Sequence, residues 1–148
     1  MNRETIKNIF NFLNEKEDKE IPQTVLNFIA KEKFIQELEN HPDDVQYRYE
    51  GDLGLKNSNI TKLPNDLYVD GLLNLRYCDQ LTKLPDKLYV GGWLDIRGCN
   101  QLTELPNNLY VGGNLWLANA PLANNYTDDE IIEMITSKGG TIIGKIHR

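Results

Sequence analysis

The side chains with most chemistry to offer are two cysteines, two histidines, two tryptophans and a recurring tyrosine. A cysteine nucleophile needs a base and an orienting group close by, and neither Cys78 nor Cys99 has a histidine near it in sequence. Zinc needs closely spaced ligands of the CxxC kind; here the thiols stand alone, with His41 and His147 far away. A phosphate cradle needs a glycine-rich loop leading into a helix with a lysine. Gly91-Gly92 and Gly112-Gly113 lead into apolar alternation instead. These absences predict a protein that is not an enzyme and that carries no cofactor or metal. What remains is spacing. Cys78 and Cys99 occupy one position of a repeated phrase, as do Tyr68, Tyr89 and Tyr110. Matching positions favour packing, with Ser58 and Ala120 as the small residues of the flanking units.

The phrase that positions these residues is 21 residues long: LPNDLYVDGLLNLRYCDQLTK from Leu63, LPDKLYVGGWLDIRGCNQLTE from Leu84, and a third copy decaying after LPNNLYVGGNLWLANA from Leu105. A fixed period of this kind marks a stacked repeat whose neighbours complete one another's core. In each copy alternate residues read as a strand, with Leu73 and Leu75, Leu94 and Ile96, Leu115 and Leu117 facing in. One parallel sheet is expected, growing by a strand per repeat. The Leu-Pro pairs suit a bend on the far side, and the Leu-Tyr-Val triplets at 67–69, 88–90 and 109–111 supply a second apolar layer. Gly51 to Lys62 reads as the second half of an earlier unit, one residue short.

The flanks read as caps. Ile6, Ile9, Phe10 and Leu13 fall at helical spacing. EKEDKE from Glu15 to Glu20 reads as a solvated linker. Pro22 opens a second helix, which His41-Pro42 closes. At the other end Thr127 and Glu130 form a capping box for a helix from about Asp128 to Ser137, stopped by Gly139-Gly140, with a short final strand in TIIGKI. The expected organisation is therefore an N-terminal helical cap at 1–50, repeats at 51–122 and a C-terminal cap at 123–148, as one structural unit.

Composition narrows the functional classes. The chain is 40% hydrophobic and 26% charged, which excludes a disordered chain. No run of about 18 apolar residues exists, so no membrane span is expected. Without an apolar signal core near residue 1, the expected compartment is the cytoplasm, where a disulfide between Cys78 and Cys99 would be out of place. The net charge of −6, concentrated in residues 1–50, argues against nucleic acid as partner.

The stretch Leu-x-Ile-x-x-Cys-x-x-Leu-x-x-Leu-Pro at Leu94 to Pro106, with its counterpart at Leu73 to Pro85, resembles the leucine-rich repeat family, in particular short bacterial and phage forms rich in Leu-Pro. The resemblance covers residues 51 to about 120. It departs from the family where Val69, Val90 and Val111 replace the leading leucine one residue early, and where two residues rather than one follow the cysteine. It implies an α/β leucine-rich-repeat solenoid with a parallel sheet, capped by N-terminal helices and by a C-terminal helix plus strand. It further implies that the strands line a concave face whose outward side chains meet a partner protein. Carried onto this chain, those positions are Asp52, Gly54 and Lys56; Leu72, Asn74 and Arg76; Trp93, Asp95 and Arg97; Asn114, Trp116 and Ala118. Tryptophan and arginine dominate binding hot spots, so the expected partner contacts are Lys56, Leu72, Asn74, Arg76, Trp93, Asp95, Arg97, Asn114 and Trp116. Lys56, Arg76 and Arg97 form a column of like charge, which Asp95 or a ligand's acidic groups would have to interleave. The expected function is that of an inhibitor or adaptor of another protein. The short length and the abundance of Asn, Lys and Ile suggest a phage or mobile-element protein that blocks a host factor. A glycan or nucleotide-bearing ligand stacked on the tryptophans is the alternative. Self-association through the final strand or the first helix is open.

Overall fold

The structure, a computed structural model, describes residues 21–148 together with Glu4, Lys7, Asn8 and Asn11. The helix expected over residues 3–13 lies outside the described residues apart from those four, which have helical backbone and are exposed. The linker expected at Glu15 to Glu20 lies outside them altogether. The chain divides into two compact units, residues 1–37 and 38–148.

The first unit contains most of helix α1, Gln23–Glu39. Pro22 starts it as expected: its carbonyl accepts from the N–H groups of Val25 at 2.9 Å and Leu26 at 3.2 Å. The helix ends at Glu39, ahead of His41-Pro42, where a residue preceding proline leaves the helical region.

The second unit is a solenoid of parallel strands, each two residues long. They fall into two five-stranded sheets, where the sequence suggested one. The first sheet runs β1 (Arg48–Tyr49), β3 (Tyr68–Val69), β5 (Tyr89–Val90), β7 (Tyr110–Val111), β9 (Thr141–Ile142). The second runs β2 (Leu53–Gly54), β4 (Leu73–Asn74), β6 (Leu94–Asp95), β8 (Leu115–Trp116), β10 (Ile146–His147). The Leu-Tyr-Val triplets are therefore strands of their own. Their leucines and valines point in and their tyrosines out, because side chains alternate across a strand.

Register follows the sequence period. Tyr68 pairs with Tyr89 and Leu73 with Leu94, so identical letters stack. The core is built from these stacked columns: Leu67, Leu88 and Leu109; Val69, Val90 and Val111; Leu73, Leu94 and Leu115; Leu75, Ile96 and Leu117, all buried. Each of the first four coils turns through a left-handed residue after its second strand, at Asn57, Tyr77, Gly98 and Asn119. Gly91 and Gly112 lie where coils approach backbone to backbone; a Cβ there would stand 2.1 Å from the Asp70 carbonyl oxygen and 2.2 Å from that of Gly91.

Both ends of the array depart from the phrase. The first coil begins in β1, where Tyr47-Arg48-Tyr49 takes the place of Leu-Tyr-Val and Arg48 pairs with Tyr68. In the last coil Tyr110 pairs with Thr141 and Leu115 with Ile146. The added length is taken up by α2 (Pro121–Asn125) and α3 (Asp128–Ser137). The capping box at α3 forms as read: Glu130 N–H donates to Thr127 Oγ1, and Thr127 N–H donates to Glu130 Oε2 at 2.7 Å. Pro121 begins α2, and the third copy ends there. The tail holds two strands rather than one, so it completes a coil in both sheets.

Among the described residues, no helix is long and apolar enough to cross a membrane.

Candidate binding face

The outward side of the second sheet carries the residues singled out by the repeat. The pairing sets Gly54, Asn74, Asp95, Trp116 and His147 in one column. The ladder continues past the strands, with Leu55 N–H donating to Asn74 O and Asn57 N–H to Arg76 O, so Lys56, Arg76 and Arg97 form the next column. Leu72, Trp93 and Asn114 enter the strands side by side, each half-buried. All nine expected contact residues thus belong to one face, but they are not equally accessible.

Asp95 differs from the expectation: it is 1% exposed. Its Oδ1 accepts from Arg97 N–H at 3.1 Å and Arg97 Nε at 2.9 Å, and its Oδ2 from Arg97 Nη2 at 2.6 Å. A carboxylate held by a two-pronged guanidinium and a backbone N–H is strongly bound, and at 1% exposure Asp95 anchors Arg97 below the surface that a partner would touch. The same bonds push the Arg97 guanidinium above its ordinary value. This is the interleaved acid that the charge column requires, and it serves one arginine only.

Trp116 is held on both sides. The Arg97 guanidinium lies 4.9 Å from its ring centroid. From the following coil, His147 stacks on it at 4.1 Å with 13° between the ring planes. Neither contact is with Trp93.

Arg76 sits differently from its repeat counterpart. Its Nη2 donates to Tyr77 Oη at 3.1 Å, with the guanidinium 4.8 Å from the Tyr77 ring, while its N–H donates to Asn74 Oδ1 at 3.1 Å. Its Nε is buried and has no hydrogen-bond partner, as is His147 Nε2. Tyr77 in turn packs where Gly98 leaves space, since a Cβ at Gly98 would be 2.3 Å from that ring.

Sequence reasoning missed His147 and Tyr77. His147 joins the face because of the lengthened last coil, and no periodicity announces it. Tyr77 carried a readable signal: it and Gly98 share a repeat position, and a large ring opposite a glycine suggests that one fills the gap left by the other.

The remaining chemistry-bearing residues of the repeat make stacking and hydrogen-bond contacts between coils. Tyr68, Tyr89 and Tyr110 stack face to face on the first sheet at 4.1 and 4.6 Å. Arg48 lies 4.4 Å over Tyr68 and pairs with Asp70 at 3.0 Å. Cys78 and Cys99 are free, buried thiols that donate to the carbonyls of Leu55 and Leu75 in the preceding coil, at 3.1 and 3.0 Å. Burial pushes the Cys99 thiol up to about 12, far from the thiolate a nucleophile or ligand requires. Among the described residues, no three His, Cys, Asp or Glu side chains converge as a metal site. A cleft of about 570 Å³ follows the Leu-Pro bends, where Asp66, Lys83, Asp86, Lys87 and Glu104 mix charges of both signs.

Comparisons with models of protein families, with characterised proteins and with solved structures return no match.

Proposed function

We propose that this chain is a non-enzymatic binding module of the leucine-rich repeat kind, which grips another protein with the outward face of its second sheet and acts as an inhibitor or adaptor. The observation that carries the reading is the row of half-buried Leu72, Trp93 and Asn114 on the same outward face as Arg76 and Arg97, one column apart across Asn74, Asp95 and Trp116, on strands fixed by a continuous ladder. An aromatic and basic patch on a rigid support loses little side-chain freedom on binding. Trp93 and Arg76 lead this reading, because Trp116 and Arg97 are already engaged with His147 and Asp95. The sandwich around Trp116 also weighs against a stacked sugar or nucleotide, since Arg97 and His147 flank that ring from the two neighbouring coils.

The test is affinity capture from cell lysate with three forms of the protein: unaltered, Trp93→Ala with Arg76→Ala, and Tyr89→Ala on the opposite sheet. Capture of a protein by the first and third forms but not the second supports the reading. Equal capture by all three sinks it.

A further inference from the structure

Two repeats place an arginine at the same position and treat it differently. At Arg97 the residue two earlier is Asp95, which fills the edge formed by Nε and Nη2. At Arg76 the residue two earlier is Asn74. Asn74 Oδ1 accepts from the Arg76 backbone N–H as Asp95 Oδ1 does from that of Arg97, but an amide has no second oxygen and no charge to offer the guanidinium. Arg76 therefore turns to its neighbour's hydroxyl, and its Nε is buried without an acceptor. A buried donor left unmade retains its desolvation penalty. Among the described residues no carboxylate forms an ion pair with Arg76, whereas Asp95 pairs with Arg97 at 2.6 Å, so the Arg76 guanidinium carries its charge uncompensated.

We propose that Arg76 is the anchoring point for a carboxylate supplied by the partner, an Asp or Glu side chain taking the role that Asp95 plays for Arg97. The proposal rests on the protein-binding reading above and names the chemistry that the face selects. A carboxylate matches the two-pronged donor edge of a guanidinium. Because Nε is shielded in the free protein, the carboxylate first meets the outer Nη groups and draws the side chain off the Tyr77 ring, which brings the Nε–Nη2 edge into its reach. The unpartnered Nε is why that movement breaks few bonds. Half-buried Leu72 and Trp93 lie on the same outward face, across the intervening column of Asn74 and Asp95, where the apolar part of the same partner would rest.

The experiment follows the arginine Nε–H resonances of the nitrogen-15-labelled full chain during titration with N-acetylglutamate N-methylamide. The neutral glutamine analogue and inorganic phosphate are parallel arms. The Arg76 signal is expected to move saturably with the carboxylate and not with the neutral amide, while the Arg97 signal stays in place. Asn74→Asp, which builds an internal partner for Arg76, should weaken the response at least about tenfold. Asp95→Asn should give Arg97 the response that Arg76 has in the unaltered chain. The proposal is overturned by equal movement with the neutral amide, by an equal response of Arg97 in the unaltered chain, or by an Asn74→Asp variant that responds undiminished. A response to phosphate that exceeds the one to carboxylate overturns the assignment to an acidic side chain. Backbone spectra establish that each variant is folded; if Asp95→Asn is not, Asn74→Asp decides alone. The outcome is separable from the protein-binding reading. A carboxylate response without capture of any protein by this face sinks only that reading, and capture that needs Trp93 without a carboxylate response sinks only the present inference.

Discussion

Gly91 and Gly54 belong to the same solenoid, and alanine should affect them in opposite ways. At Gly91 the new methyl would stand 2.1 Å from the Asp70 carbonyl oxygen. Carbon–oxygen contacts seldom fall below about 3.3 Å, so the two coils would have to part there by about 1.2 Å. Gly91 N–H donates to Val69 O at 2.9 Å and Gly92 N–H to Gly71 O at 2.9 Å. Stretched by that amount, neither remains a hydrogen bond. Losing two such bonds costs about 1 kcal/mol each, and a group left buried and unpaired adds about 1–3 kcal/mol. Alanine returns up to about 1 kcal/mol by restricting the unfolded chain, so Gly91→Ala should destabilise by about 2–4 kcal/mol. At Gly54 a Cβ meets nothing within 4 Å. Gly54→Ala should be neutral or stabilise by up to about 1 kcal/mol. Urea unfolding followed by far-ultraviolet circular dichroism measures both. A Gly91→Ala protein within about 0.5 kcal/mol of the unaltered one, or a Gly54→Ala protein as weak as Gly91→Ala, refutes the close backbone approach on which the coil stacking is argued.

Three other outcomes follow. Cys99, with its thiol pushed up to about 12 by burial, should react with Ellman's reagent at pH 8 only as fast as the solenoid opens; rapid labelling of the native protein would contradict its place in the core. Glu130 is held below its ordinary value by the Thr127 backbone and hydroxyl bonds, so its contribution is present above about pH 4.5 and is lost as pH falls through its folded value. Thr127→Ala should therefore cost about 1 kcal/mol at neutral pH and less in acid, as read from thermal unfolding across that range. Tyr89 is raised above 10 by its hydrogen bond with Tyr68, which means stability falls as pH climbs from the unfolded value through the folded one. Ultraviolet titration should resolve one tyrosine ionising later than the rest, and Tyr68→Phe should bring it back.

Much of the solenoid is written in the repeated letters. Leu73, Leu94 and Leu115 recur because each must meet its own kind one coil away, and burial leaves a visible spacing. The sheet of Tyr68–Val69 and its counterparts was hidden because each Leu-Tyr-Val triplet runs at once into Asp70, Gly91 or Gly112 and leaves a single alternation to count. The ends were hidden for another reason: Tyr47-Arg48-Tyr49 and Thr141–Ile142 match their neighbours in backbone only, and backbone pairing constrains side chains weakly. At the candidate face the outward positions were readable and their accessibility was not. Asp95 satisfies the same alternation as Asn74, yet the charge of Arg97 closes over it. Whether an outward residue is free depends on the residue two further along and on the next coil, which no single periodicity encodes.

Because Tyr68 to Tyr89 and Leu73 to Leu94 are separated by the same number of residues as Tyr89 to Tyr110 and Leu94 to Leu115, the segment Leu84 to Glu104 is a removable module. Excising it joins Lys83 to Leu105 and brings Tyr68 against Tyr110, Leu73 against Leu115 and Cys78 against Ala120, with every hydrophobic column shortened by one member and none shifted. Duplicating it in frame lengthens the array by about 4.8 Å, one strand spacing, and adds another Asp-Arg pair to the outward face. A gene of this construction can change the reach of its product by whole units through recombination between its own copies, while the folding of what remains is conserved.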